Sequence, residues 1–226
     1  QLLVKHAGPR IRHAWLSVSG AMANENALKL CLAATGRDHV VCFEGGFHGR
    51  TLATLALTGK TKPYKTGLGP LPGPVWHLPY PCPETGVSVD DAMAAIAKLF
   101  AVSADPASVG AVVIEPVQGE GGFRAADGEF LVALRRLCDE NGMVLIADEI
   151  QSGFARTGKM FAIEHAGVAP DILVMGKGIG GGFPLAAITG AEDVMSALAP
   201  GGLGGTYSGN PVACAAAKGV FEVLEK

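Results

Sequence analysis

The chain has 226 residues, 49% hydrophobic and 17% charged, with a formal net charge of −3. That balance excludes intrinsic disorder, which needs low hydrophobicity and high net charge. It also excludes a general nucleic-acid binder, since no window gathers the Lys/Arg cluster such a site uses, and the apolar runs are far shorter than the ~20 residues of a membrane span.

In chain order, apolar residues at helical spacing predict a helix over Ala21–Ala34, closed by Gly36. His39–Phe43 reads as a short buried strand and Thr51–Thr58 as a short helix. Seven of the fourteen prolines fall between Pro63 and Pro83, so an ordered irregular loop is expected there. A helix over Asp90–Val102 and a strand over Val109–Ile114 follow, then a helix over Phe130–Asn141 stopped by Gly142. Met143–Ala147, Ile172–Met175 and Leu185–Thr189 read as further strands, and Asn210-Pro211 opens a last helix. Apolar strands alternating with helices imply an α/β fold with a mostly parallel sheet covered on both faces, in α/β/α layers. Ligands of such sheets sit beyond the carboxyl ends of the strands, which draws attention to Glu115, Asp148 and Lys177.

The cysteines at 31, 42, 82, 138 and 214 and six dispersed histidines show no metal-ligand spacing, so no metal site is expected. Scattered free thiols suit a reducing, cytoplasmic setting. The start at Gln1 and the still-helical text of Lys218–Lys226 read as a piece of a longer polypeptide, so the lack of a targeting signal carries little weight.

Two motifs fail on mechanism. Gly176-Lys-Gly-Ile-Gly-Gly181 satisfies the dinucleotide pattern of a dehydrogenase, but Phe183-Pro184 closes any helix that would start inside the glycines. Thr54–Thr61 is a near miss to a phosphate-binding P-loop, with Thr where the first glycine should wrap the phosphates.

Lys177 is delivered by a flexible glycine-rich turn after an apolar strand, where partial burial would lower its pKa and suit it to Schiff-base chemistry. Asp148 ends another apolar strand, one crossover away. A lysine capping a turn and an acid capping a helix would read the same. A carboxylate for a pyridinium nitrogen and a lysine for an aldehyde are the pyridoxal-phosphate arrangement. Ser19-Gly20-Ala21 at a helix start offers free N–H groups for a phosphate, and Phe47 offers a ring platform or a core side chain.

Six stretches then carry a resemblance: Ser19-Gly-Ala-Met-Ala-Asn-Glu25, Phe47-His-Gly-Arg-Thr51, Glu115-Pro-Val-Gln-Gly-Glu-Gly-Gly122, Ala147-Asp-Glu-Ile-Gln-Ser-Gly153, Lys177 before Gly-Ile-Gly-Gly-Gly-Phe-Pro184, and Gly205-Thr-Tyr-Ser-Gly-Asn-Pro211. In this order and spacing the chain resembles the class III aminotransferases of the type I pyridoxal-phosphate fold. The Pro-rich text at Leu71–Pro74 and Tyr80–Pro83 tilts the resemblance toward the branch acting on 4-aminobutyrate.

The resemblance implies that pyridoxal 5'-phosphate is the cofactor, bonded to Lys177, which then acts as the proton-moving base. Asp148 would hold the ring nitrogen protonated, Gln151 would bind the phenolic oxygen and Phe47 would stack on the ring. Gly20 and Ala21 would bind the phosphate by backbone N–H, and Thr206 would bind the phosphate of a neighbouring subunit in a homodimer. Arg50 would hold a substrate carboxylate, and Glu120 would face substrate and pair with an arginine of a small C-terminal domain. The implied reaction moves the amino group of 4-aminobutyrate to 2-oxoglutarate, giving succinate semialdehyde and glutamate. Acetylornithine, ornithine or another ω-amino acid is the alternative donor. Residues 1–226 would then be part of the large cofactor-binding domain, without the N-terminal segment and the small domain. Met22 stands where the family usually has Glu, and Gly178 and Gly180 replace commoner Ser and Ala.

Overall fold

Apolar runs become central strands, and the helices between them return the chain to begin the next. The computed structural model describes residues 1–226. Its first half runs α1 (Leu2–His6), β1 (His13–Ser17), α2 (Gly20–Thr35), β2 (His39–Phe43), α3 (Leu52–Leu57), β3 (Val75–Leu78), α4 (Val89–Val102) and β4 (Val109–Ile114). The second half runs β5 (Val117–Gln118), β6 (Arg124–Ala125), α5 (Gly128–Asn141), β7 (Val144–Asp148), β8 (Ile172–Met175), β9 (Ala186–Gly190), α6 (Glu192–Met195) and α7 (Pro211–Leu224). No helix is long and apolar enough to cross a membrane.

Local chemistry sets the helix ends. The Ser19 hydroxyl accepts the N–H of Met22 at 3.2 Å to open α2, and Gly36 closes it in the left-handed region at φ 65°. Ser88 and Asp91 form a reciprocal capping box on α4. Gly142 ends α5 at φ 63°, and Asn210 caps α7 with Pro211 at its first position.

Seven strands form one sheet in the order β1-β9-β8-β7-β4-β2-β3. The pairs from β8 through β3 are all parallel. β9 runs antiparallel to both β8 and β1. The reason is length: only residues 176–185 join β8 to β9, and a parallel return needs a crossover of about a dozen residues or more. The expected mostly parallel sheet holds, with this one reversal.

Side chains alternate across every central strand. Val112, Ile114, Leu145, Ala147, Leu173 and Met175 enter a layer with Phe130 and Leu134 of α5 and Phe221 of α7. Ala111, Val113, Val144, Ile146, Ile172 and Val174 enter a second layer with Ala23, Ala27 and Leu30 of α2. Full burial of one Phe or Leu is worth about 1.5–3 kcal/mol, so the two layers hold the sheet between the helices.

Two edge strands went unread in the sequence. β3 lies inside the Pro63–Pro83 stretch expected to be irregular; it is an edge strand, which tolerates flanking prolines. β1 is the opposite edge, with mixed burial and no continuous apolar run. The amino ends of the strands are closed by polar clamps: Asp171 accepts from Arg135 at 2.7 Å, from Arg10 at 2.8 Å and from the N–H of Leu145 at 2.8 Å.

Candidate active site at the carboxyl ends of the strands

The carboxyl ends of β4, β7 and β8 open into a cavity of about 420 Å³ that also meets the first turn of α2. Of the nine residues to which the resemblance gives a role, eight line it: Gly20, Ala21, Phe47, Arg50, Glu120, Asp148, Gln151 and Lys177. Thr206 does not; it lies in an exposed segment before α7.

Each is placed by an identifiable local cause. Asp148 is the last residue of β7 and by alternation points to the α2 layer. There it is 2% exposed and accepts three hydrogen bonds. Asn24 Nδ2 and His48 Nδ1 each donate to its Oδ2 at 2.8 Å, and the N–H of Ile150 donates to Oδ1 at 3.1 Å. Asn24 also donates to the carbonyl of His48 at 2.9 Å, tying the loop after β2 to α2.

Lys177 follows β8 in a short 3₁₀ turn, at φ 42°, a left-handed conformation rare for a non-glycine residue. Its Nζ donates to Gln151 Oε1. The side chain is exposed, so the partial burial expected from the sequence is not supplied by this chain. The turn that holds it is the same feature that defeats the dinucleotide motif, because no α-helix starts among those glycines.

At the start of α2, Met22 N–H is capped by Ser19 and Ala23 N–H bonds the Ser19 carbonyl. The N–H groups of Gly20 and Ala21 have no intrahelical acceptor, and the helix dipole adds positive potential there. A side chain at position 20 would put its Cβ 2.5 Å from Ile150 Cδ1, so the Ile150 side chain would have to shift to admit it.

Glu115 is 5% exposed, and its carboxylate joins two loops. Oε1 accepts from the N–H of Phe47 at 2.7 Å and Oε2 from the N–H of Gly119 at 3.1 Å. Burial pushes its pKa up to about 7, the charge of His48 working against that and the charge of Asp148 with it. For His48, burial favours the neutral ring, but the hydrogen bond and charge of Asp148, with the charge of Glu115, outweigh it and raise its pKa above the ordinary imidazole value. The site thus buries an imidazole against two carboxyl groups.

His48 and Asn24 carry the geometry of Asp148, and in the sequence they stand only as interior letters of longer motifs. A polar residue at a core position of an apolar helix face, as Asn24 is, was the available signal. Tyr64, missed entirely, donates to Glu120 Oε2 at 3.0 Å from within the Pro-rich stretch.

Comparison with known proteins gives the family. The chain is 56% identical over 211 residues to 4-aminobutyrate aminotransferase GabT of Escherichia coli (strain K12), covering 93% of this chain and 50% of that protein. It is 57% identical over 202 residues to 2-aminoadipate transaminase of Pseudomonas putida (strain KT2440), covering 89% of this chain and 49% of that one. It thus spans about half the length of the curated relatives it matches. Among solved structures, an amine transaminase from an uncultivated Pseudomonas species in its PLP-bound form superposes with a TM-score of 0.88 at 30% identity, over 96% of this chain and 53% of that one. The family model for class III aminotransferases matches residues 1–226, so the chain belongs to the class III aminotransferases.

Proposed function

We propose that residues 1–226 are most of the large domain of a pyridoxal-phosphate-dependent transaminase whose substrates are an amino-acid donor and a 2-oxo acid. The observation that carries the reading is the convergence of Lys177, Asp148 and the open N-terminus of α2 on one cavity. The donor set fits the cofactor: free N–H groups for its phosphate, a buried carboxylate for its ring nitrogen, a lysine for its aldehyde and an aromatic side wall. When bound, pyridoxal phosphate supplies an aldehyde for amines and a ring that accepts electrons.

The chain's own residues do the rest. Gly20 and Ala21 bind the phosphate through their N–H groups. Asp148, held by Asn24 and His48, keeps a proton on the ring nitrogen. Phe47, fixed through its N–H to Glu115, closes one face of the ring. Gln151, which accepts from Lys177 here, holds the phenolic oxygen. Lys177 Nζ, at the tip of a strained turn, takes and returns the substrate proton. Arg50 receives a substrate carboxylate through its planar fork, with Glu120 on the same rim.

The donor we favour is 4-aminobutyrate, with 2-oxoglutarate as acceptor and succinate semialdehyde and glutamate as products. The equally similar 2-aminoadipate transaminase supports a second reading, in which the donor carries two carboxylates. Thr206, exposed and outside the cavity, would serve the phosphate of a neighbouring subunit in a homodimer. Five unpaired cysteines suit a cytoplasmic setting.

Borohydride reduction of the cofactor-loaded full-length protein, followed by peptide mass spectrometry, tests the reading. The phosphopyridoxyl group is expected on Lys177; label on Lys60 or Lys159 instead would overturn the assignment.

A further inference from the structure

Arg50 and Glu120 line the same cavity with opposite charges, both exposed on flexible stems. Two such side chains ordinarily pair, since the guanidinium fork matches a carboxylate. Arg50 nevertheless takes part in none of the ion pairs of this chain. Its Cζ rests 5.0 Å from the ring centroid of Tyr64 and 5.7 Å from that of Phe47. The two rings pack at 5.1 Å and 56° to each other. The hydroxyl of the same Tyr64 donates to Glu120 Oε2 at 3.0 Å.

We infer that Tyr64 is a positioning residue that keeps Arg50 and Glu120 apart, seating the guanidinium on its ring and the carboxylate on its hydroxyl. Arg50 therefore stays free for the carboxylate of a substrate. The inference rests on the proposed role of Arg50. Tyr64 does not line the cavity itself, so it acts through its two neighbours and not on the reacting atoms. A cation on a ring face keeps its charge and its five donors, whereas an Arg50–Glu120 pair would compete directly with incoming substrate. The phenol remains a donor across the working pH range: loss of solvent and the Glu120 hydrogen bond raise its pKa, and Arg50 only partly opposes them.

The test uses the cofactor-loaded full-length enzyme and glutarate, an unreactive dicarboxylate, titrated by calorimetry. Tyr64→Phe keeps the ring and removes the hydroxyl, freeing Glu120 to reach Arg50. The Kd of glutarate is expected to rise roughly fivefold or more, with KM for 2-oxoglutarate following it and kcat changing little. In a Glu120→Gln background, where no carboxylate competes, the same substitution should shift the Kd by less than about twofold. An equal rise in both backgrounds would mean a merely structural tyrosine and would overturn the inference, as would no rise in either. Tyr64→Phe fills the same space, and its thermal midpoint verifies that it folds. Wild-type enzyme that binds glutarate without transaminating would sink the functional reading alone; wild type that does not bind glutarate would sink the inference and the role of Arg50 together.

Discussion

Replacing His48 with Phe removes both ring nitrogens, Nδ1 among them, from the most buried ion pair in the chain and leaves a ring of similar size. The side chains of His48 and Asp148 are 1% and 2% exposed, and their bond is 2.8 Å long. Removing one partner of a buried ion pair costs about 3–5 kcal/mol, because the other charge stays desolvated. Asp148 keeps Asn24 Nδ2 and the N–H of Ile150, which places the expected loss near the lower end, about 3 kcal/mol. Urea unfolding of the cofactor-free full-length protein at pH 7 measures it, with Trp15 in β1 and Trp76 in β3 reporting from the two edges of the sheet. In an Asp148→Asn background, where no buried charge is stranded, His48→Phe should cost at least 1.5 kcal/mol less, about half of the first loss. A loss under about 1 kcal/mol in the parent, or equal losses in both backgrounds, would refute the reasoning.

Two further outcomes follow from the same packing. Glu115, raised from 4.5 to about 7, takes up a proton more readily folded than unfolded; its stabilisation is full below pH 4.5 and lost as pH rises through about 7. The shift corresponds to roughly 3 kcal/mol, and the upward-shifted His48 acts in the same direction. Urea unfolding at pH 5 and pH 8 should therefore show a smaller difference for Glu115→Gln than for the parent; an unchanged difference would contradict it. Phe130, fully buried and edge-on to Phe43 at 5.4 Å, should cost about 3–5 kcal/mol on replacement by Ala. It lies away from the cavity, so cofactor affinity measured by absorbance titration should be unaffected, and a tenfold loss would count against two independent layers.

The central strands were legible because burial on both faces leaves an unbroken apolar run. Val109–Ile114 and Ile172–Met175 have the same limits in sequence and structure. Edge strands lack that run: β1 has four residues open to solvent or half-buried and is buried only at Ser17, and β3 is buried only at Leu78. The strand-end residues of the candidate site stand out in the sequence because ligands of parallel sheets sit beyond the strand ends. Their supports do not. His48 and Asn24 meet Asp148 across 100 and 124 residues, and Tyr64 meets Glu120 across 56. Such contacts arise from the path of loops in space, which local periodicity does not encode. The burial of Lys177 was misjudged for the same reason: a strand end beside glycines says how the residue is delivered, not what covers it.

The alternation that sends Ala147 into the layer of Phe130 and Asp148 into the layer of α2 also makes β7 intolerant of any change in length. Deleting one residue between Met143 and Ile146 would turn Asp148 toward Phe130 and Leu134 and bring Glu149, one methylene longer, opposite Asn24 and His48. An insertion there would leave the Ala147 methyl in that place and three hydrogen bonds unmade. Gains and losses of residues can be absorbed instead where no pleat counts them, as in the exposed stretch of residues 66–70 before β3. Relatives that differ in length should carry their gaps there and keep the span from β7 to Lys177 uninterrupted.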